Sequence, residues 1–194
     1  MKLSDMASVR SGLVLSRKQA REASEINYPL LTLRAINPGG YIDLNETDVY
    51  HAAEMLGGEY LTQTGDVVIR LTAPYTAVLI EEATAGMVVS SNFVIIRADR
   101  RQILPEFLYW LINTQPVKRS IYENTSSNML GAIKAKYFSD FELAPITMEQ
   151  QGFIADMNLL GMKESRLLRE LAAEKEKYHA LILERAYKEM KRGI

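Results

Sequence analysis

The fold is decided by residues 145–192, which read PITMEQQGFIADMNLLGMKESRLLRELAAEKEKYHALILERAYKEMKR. This stretch is strongly charged and has no proline after Pro145, and Thr147 and Gln150 have the spacing of a capping box. Pro145 prevents a helix from running in from upstream. We therefore predict one helix over residues 148–192, which would be about 65 Å long. A small domain cannot cover such a helix alone, so the sequence predicts that it packs against another helix.

Apolar residues recur along this predicted helix at spacings of three and four, as they do in a packed helix–helix seam. The predicted interface consists of Phe153, Ile154, Met157, Leu160, Leu167, Leu168, Leu171, Tyr178, Leu181 and Ile182. The seam has two interruptions, at residues 161–166 and 172–177. One alternative is a helix that lies across its own domain. Helix–helix pairing is favoured because the apolar residues extend over about 30 residues, or about 45 Å. The sequence leaves open whether the two helices run parallel or antiparallel.

Short apolar runs separated by turn residues fill the chain before residue 145, and this pattern is typical of a strand-rich domain. The predicted strands are residues 28–34, 40–44, 60–62, 67–70, 77–80, 87–89, 93–97 and 141–143. Helices are predicted at residues 48–56, 106–113 and 117–122, and a polar loop is predicted at 124–131. The predicted fold is therefore α+β, with a strand-rich domain over residues 1–145 and a long C-terminal helix over 146–194 that pairs as a coiled coil.

Composition excludes several classes of protein. The 194 residues include no cysteine, which rules out disulfides, thiolate metal sites and cysteine nucleophiles and fits a reducing compartment. The first residues lack the apolar segment of a secretory signal, and no apolar run approaches the ~18 residues of a membrane span. We therefore expect a cytoplasmic protein without a membrane partner.

The sequence also lacks the motifs of most catalytic and cofactor sites. There is no Walker phosphate loop and no G-x-G-x-x-G segment, and His51 and His179 are far apart, each expected to be exposed, so a zinc site is not indicated. Asp66, Glu81 and Glu82 leave one alternative open, because carboxylates can hold a metal ion as they do in nucleases. We predict a binding protein and not an enzyme, without a metal or cofactor.

Three local clusters have the chemistry to contact nucleic acid. The net charge is −1, with +1 on residues 148–194 and −2 on residues 1–147, so contacts must come from local patches or from a partner's positive charge. The clusters combine cations for phosphates with small polar groups for base edges. The candidate residues are Arg10, Arg17 and Lys18; Arg70, Thr72, Tyr75 and Thr76; and Ser91, Asn92, Ser126 and Asn128. Each cluster alone is also compatible with an ordinary solvated loop.

Four segments together resemble one protein family. They are Gly65–Ile69 (GDVVI), Val88–Arg97 (VVSSNFVIIR), Leu104–Asn113 (LPEFLYWLIN) and Phe141–Gln151 (FELAPITMEQQ), the last leading into the long helix. In their order and spacing these segments resemble a target-recognition domain of the specificity (S) subunits of type I restriction–modification systems. The resemblance covers almost the whole chain, although no single segment is specific to the family.

The resemblance implies a non-catalytic subunit that reads double-stranded DNA. It also implies a helix that acts as a spacer and binds DNA adenine methyltransferase (M) subunits, with a restriction translocase (R) subunit joining complexes that also cut DNA. Family members usually carry two domain–helix units in tandem, and this sequence has one. A homodimer paired through antiparallel helices would restore the usual arrangement and read a bipartite, interrupted palindrome. The alternative from another class is a coiled-coil scaffold whose globular domain binds another protein.

Overall fold

The computed structural model describes residues 1–22, 24–126 and 133–192. The chain divides into two compact units, Met1–Ala155 and Asp156–Ile194. The first unit contains strands and helices, and the second consists of a helix alone. The predicted α+β fold, a strand-rich domain followed by a long C-terminal helix, is confirmed. The predicted functional boundary between residues 145 and 146 stays a prediction.

The larger sheet has four antiparallel strands. In chain order these are β1 (Ala7–Ser11), β4 (Asp66–Arg70), β5 (Ala77–Leu79) and β7 (Phe93–Ala98). The spatial order is β1, β7, β4, β5, so β7 and β4 are the central strands. Eight of the eleven residues of these two strands are buried, which explains the continuous apolar runs Val67–Ile69 and Phe93–Ile96.

The smaller sheet has three strands and packs against the larger one. Its strands are β2 (Asn27–Leu31), β3 (Asp48–His51) and β6 (Val88–Val89), in the order β3, β2, β6. Strand β2 runs antiparallel to β3 and parallel to β6. Leu31 and Val89 from this sheet share one buried cluster with Val68, Phe93 and Ile95 of the larger sheet. The main core therefore lies between the two sheets.

Within the described ranges, four α-helices follow the last strand. They are α1 (Pro105–Asn113), α2 (Gln115–Ser126), α3 (Ala135–Ser139) and α4 (Met148–Arg192). Helix α1 packs on β4 and β5, and α3 packs on β1. Single-turn 3-10 helices occur at Leu3–Asp5, Leu15–Arg17, Leu44–Glu46 and Glu82–Thr84. Pro105 stands at the first turn of α1, as predicted from its fixed φ and missing amide hydrogen.

The predicted helix at residues 48–56 is wrong, since this segment begins with strand β3. Asp48 to His51 pair with β2, and the buried Tyr50 donates its hydroxyl hydrogen to the Leu15 carbonyl oxygen at 2.7 Å. Val49 and Tyr50 belong to residue types that favour strands, and pairing with a distant strand prevails over a local helical pattern. His51 is therefore exposed on a strand and not on a helix.

Other boundaries also differ from the prediction. The predicted strands at residues 40–44, 60–62 and 141–143 are reduced to single bridges, Ile36 to Ile42, Leu61 to Val88 and Lys2 to Glu142. The sequence pattern did not reveal β1 or α3. Helix α2 extends through Ser126, so the start of the predicted polar loop at 124–131 is helical, and residues 127–131 lie outside the described residues.

Helix α4 begins as the sequence predicts. The Thr147 amide donates to the Gln150 side-chain oxygen at 2.9 Å, and the Gln150 amide donates to the Thr147 hydroxyl oxygen at 3.2 Å. These reciprocal bonds satisfy two amides that the first helical turn would otherwise leave unpaired. Within the ranges that the structure describes, no helix is both long enough and apolar enough to cross a membrane.

Tyr109 of α1 gives the core a predicted dependence on pH. Its side chain is buried, its hydroxyl donates to the Gly40 carbonyl oxygen at 2.9 Å, and burial raises its pKa to about 12. The unfolded chain loses this proton near pH 10. We therefore expect the contribution of Tyr109, about 2–3 kcal/mol, to be complete below pH 10 and to be lost as the pH rises to about 12.

This expectation is tested by comparing the unfolding free energies of the wild type and Tyr109→Phe across that pH range. The difference between the two should shrink as the pH rises, because only the wild type carries the buried hydroxyl. Tyr187→Phe, which removes the hydroxyl of an exposed tyrosine, is the matched control. A constant difference for Tyr109→Phe would contradict the prediction.

Candidate nucleic-acid interface

Three loop segments meet at one end of the larger sheet. Backbone hydrogen bonds tie them together: the Leu13 amide donates to Val89 at 2.7 Å, the Ser91 amide to Leu13 at 2.7 Å, and the Leu71 amide to Asn92 at 2.9 Å. We call residues 11–13, 70–76 and 90–92 the junction surface. The segment 90–92 connects β6 of one sheet to β7 of the other, so this surface lies where the two sheets join.

Gly12 allows the first segment to approach the third. A Cβ atom at this position would lie 2.2 Å from the Ser90 carbonyl oxygen and 2.4 Å from that of Val89. Both are backbone atoms, so no side-chain rotation could relieve the clash, and only glycine fits without a backbone shift. The sequence analysis did not single out Gly12, because its role depends on a contact with residues far along the chain.

Arg70 is the cation of the junction surface whose charge is not offset by an acid. Its Nη2 atom donates to the Thr72 hydroxyl oxygen at 3.2 Å, while its Nε atom is buried without a hydrogen-bond partner among the described residues. No carboxylate in the described part of the chain forms an ion pair with it. A guanidinium held by one bond, with donors to spare, can bind a phosphate or the O6 and N7 atoms of guanine.

Two predicted DNA contacts of this loop, Tyr75 and Thr76, are buried, with exposures of 7% and 1%. Tyr75 adopts a positive φ of 53°, an uncommon conformation for an aromatic residue, and its amide donates to Thr72 at 2.9 Å. In this conformation neither side chain can reach a DNA groove, so both residues stabilise the loop by packing beneath its exposed residues. Thr72, Ser91 and Asn92 are exposed and remain available for contacts.

The N-terminal cations lie beside the junction surface along the chain. Arg10 is exposed on the edge strand β1, where it pairs with Ile95 of β7, and its Nη2 atom donates to the Ser8 hydroxyl at 3.1 Å. Arg17 is exposed at the end of the 3-10 helix Leu15–Arg17. Lys18 binds the Glu54 carboxylate, and this hydrogen bond raises the pKa of Lys18. The negative charge of Glu54 therefore weakens the electrostatic attraction that Lys18 could exert on a phosphate.

Within the described residues, the structure shows no contact between the junction surface and the last two residues predicted to contact DNA, Ser126 and Asn128. Ser126 is the final residue of α2, and Asn128 lies outside the described residues. The structure thus groups the exposed candidates from the segments around Arg70 and Asn92, while Arg10 lies one strand away across β7.

Asp66 has a structural role, so its carboxylate is not free to serve a nuclease site. Its side chain is 1% exposed and accepts two hydrogen bonds from Arg97, at 2.8 Å from both Nε and Nη2, and a third from the Gln63 amide at 2.8 Å. The hydrogen bonds that Arg97 donates to Asp66 raise the pKa of Arg97. Among the residues that the structure describes, no group of three or more acidic, histidine or cysteine side chains could hold a metal ion.

The predicted helix seam lies on the surface. Ile154 is half-buried, and the other nine predicted interface residues are exposed, between 44% for Ile182 and 70% for Phe153. Four further apolar residues of α4 that are not in the predicted interface are exposed as well: Met148, Leu183, Tyr187 and Met190. Exposed apolar side chains over such a length are unusual on the surface of a monomer.

Gln151 anchors the start of α4, and the sequence analysis did not identify it. Its side chain is buried, accepts a hydrogen bond from the Leu104 amide at 2.9 Å and donates to the carbonyl oxygens of Gln102 at 3.3 Å and Ile146 at 3.4 Å. The bonds join the first helical turns to the segment before α1. The only sequence signal was a second glutamine after the capping residue, which is indistinguishable from a solvated one.

Comparisons with known proteins find similarity in structure only. No protein-family model matches the sequence, and no curated protein matches it. One similar chain comes from a structure described as the basis of complex assembly and conformational transition of the type I R-M system. It has a TM-score of 0.63 and 21% identity over 98% of this chain and 48% of its own length.

Two further solved structures are similar. The HsdS subunit from Thermoanaerobacter tengcongensis has a TM-score of 0.63 and 20% identity over 94% of this chain and 46% of its own. The type I restriction–modification S subunit from M. genitalium has a TM-score of 0.50 and 15% identity over 85% of this chain and 40% of its own. This chain thus spans about half the length of the proteins it matches, or less. It has the fold of type I restriction–modification specificity subunits, as the resemblance of its four sequence segments implied.

Proposed function

We propose that this chain is a non-catalytic DNA sequence-recognition subunit of a type I restriction–modification methyltransferase complex. The observation that carries the proposal is a specificity-subunit fold over nearly the whole chain at about half the length of the similar proteins. Residues 1–145 serve as the target-recognition domain, and residues 146–194 serve dimerisation and M-subunit binding. The complex acts in the cytoplasm, with an R subunit joining it where DNA is also cut.

A homodimer is the form of the protein that we propose to be active. The exposed apolar residues of α4 support it, because a second copy would cover them. Two identical copies related by a two-fold axis would present identical readers, so the DNA site would be a bipartite, interrupted palindrome. The net charge of −2 on residues 1–147 is consistent with M subunits supplying much of the nonspecific attraction to phosphates.

Within each reader, the junction surface is the proposed site of base contacts. Arg70 supplies a guanidinium without an acidic partner, and the exposed Thr72, Ser91 and Asn92 surround the same strand ends with small hydrogen-bonding groups. Arg10 and Arg17 supply phosphate contacts. Phosphate contacts would set the position of the domain on the duplex, and junction contacts would set the sequence that is read.

The proposal is tested by reconstituting the chain with an M subunit of the same genome and mapping methylated adenines on genomic DNA. We expect one split motif whose two halves are inverted copies of each other. Arg70→Ala should lower methylation at these sites at least about tenfold, the loss of one bidentate base contact. Arg101→Ala is the matched control, since Arg101 is an exposed arginine in the turn after β7, at the opposite end of the sheet.

Each alternative result has a distinct meaning. Two unlike half-sites would contradict the homodimer. Methylation that is independent of this chain would contradict a recognition role, and binding to the M subunit without selectivity for DNA sequence would favour the scaffold alternative. Equal losses for Arg70→Ala and Arg101→Ala would contradict the placement of base contacts at the junction surface.

A further inference from the structure

We propose that two copies of the second unit pair antiparallel in a single register, in which Leu168 of one copy lies opposite the partner's Leu171. The inference rests on the proposed homodimer, whose antiparallel pairing the family resemblance implies, and adds the residue-by-residue alignment of its helices. The two-fold axis then passes between Arg169 and Glu170. The argument uses the exposed apolar positions of α4 and the charged positions that interrupt them.

In this register four successive layers around the two-fold axis pair residues of complementary size or charge. The seam positions are alternately three and four residues apart. Positions with this spacing lie on one face of the helix, and that face contacts the partner helix. The layers, from the end towards the axis, are Met157 with Ile182, Gly161 with Tyr178, Glu164 with Lys175, and Leu168 with Leu171. Each layer occurs twice by symmetry. Two layers are apolar, one places a large ring over a glycine, and one joins opposite charges.

The register also accounts for the two interruptions of the apolar seam. Residues 161–166 of one copy lie alongside residues 173–178 of the other, so the two interruptions nearly coincide. Glu164 and Lys175 have no ion-pair partner within the helix, whereas Arg166 pairs with Glu170 and Lys177 with Glu174. The two charged seam positions are therefore available to each other across the interface.

Other arrangements bring like charges together or place charges against apolar groups. In a parallel pair in register, Glu164 would lie opposite the partner's Glu164, and Lys175 opposite the partner's Lys175. Like charges that face each other in a seam are unfavourable. Shifting the antiparallel pair by one heptad in one direction places Met157 opposite Lys175. Shifting it by one heptad in the other direction places Met157 opposite Glu189. In that second case Leu171 would also face Lys175. None of these three alternatives matches all four layers.

The chain has no cysteine, so introduced cysteines give an unambiguous test of direction. The double variant Met157→Cys with Ile182→Cys should form a covalent dimer on mild oxidation of the full-length protein. Each single variant should stay uncrosslinked, because its two thiols would lie at opposite ends of the antiparallel pair. In a parallel pair the single variants would crosslink as well, and that result would overturn the proposal. Failure of the double variant to crosslink in a dimeric protein would overturn the register.

Charge exchange provides a second and independent measurement. Glu164→Lys and Lys175→Glu should each raise the dimer dissociation constant at least about tenfold, because each places like charges in a layer. The variant that carries both substitutions should return to within about threefold of the wild type, since the opposite charges face each other again. Single substitutions without effect, or a double variant that is not rescued, would overturn the register. A wild-type chain that is monomeric in sedimentation would instead contradict the proposed homodimer itself.

Discussion

Asp66→Asn is expected to lower the free energy of unfolding by about 2–4 kcal/mol, because it leaves the Arg97 guanidinium without its carboxylate. The Asp66 side chain is 1% exposed, and Arg97 reaches it with two hydrogen bonds of 2.8 Å. Breaking a buried pair by removing one partner costs about 3–5 kcal/mol. The Arg97 side chain is 32% exposed, so water partly compensates it and the expected loss is nearer the lower end.

The measurement is urea unfolding at one fixed protein concentration. The matched control is Glu123→Gln, which removes the carboxylate of an exposed pair with Arg119 and should cost less than about 1 kcal/mol. A second comparison replaces both partners, Asp66→Leu with Arg97→Met, and should recover much of the loss, because no unpaired charge then remains. Equal losses for Asp66→Asn and Glu123→Gln would contradict the assigned role of Asp66.

Leu171→Asp is expected to raise the dissociation constant of the proposed homodimer about a thousandfold, or about 4 kcal/mol. In the proposed register each copy would bury one aspartate against the partner's Leu168, so two unpaired carboxylates enter the seam. Burying a polar group without a partner costs about 1–3 kcal/mol, and a charged one costs more. The side chain of Leu171 is 53% exposed in the single chain, so the substitution should leave the fold of each copy intact.

Sedimentation over a range of concentrations measures this effect. The matched control is Leu183→Asp, which introduces the same charge at a leucine that is 70% exposed on the same helix but outside the four seam layers. That variant should keep the wild-type dissociation constant within about threefold, as is usual for a surface substitution. A homodimer that tolerates Leu171→Asp as well as it tolerates Leu183→Asp would contradict the seam.

Local chemistry explains which elements could be predicted. The start of α4 depends on Thr147 and Gln150, which are close in sequence and form two reciprocal hydrogen bonds. The central strands β4 and β7 contain the continuous apolar runs Val67–Ile69 and Phe93–Ile96, which a sequence pattern can detect. Helix α1 begins at a proline with a suitable φ. In each case the cause lies within a few residues of the element itself.

Long-range pairing explains what could not be predicted. The segment Asp48–His51 becomes a strand because β2 lies beside it, although its local pattern suggested a helix. Tyr75 and Thr76 sit in a polar loop sequence, yet the fold buries both. Asp66 was a candidate metal ligand until Arg97, on the neighbouring strand, was found to occupy its carboxylate. None of these outcomes can be read from the nearest neighbours in sequence.

The sequence by itself determined the long helix, its capped beginning and the apolar stripe along it, because helical spacing and capping are short-range properties. It also determined that cysteine chemistry is absent. Only the tertiary structure decided which polar residues share the junction surface, since the segments around Leu13, Arg70 and Asn92 come together through strand pairing across the chain. Backbone hydrogen bonds between distant strands made that choice, and they depend on the whole sheet rather than on any one segment.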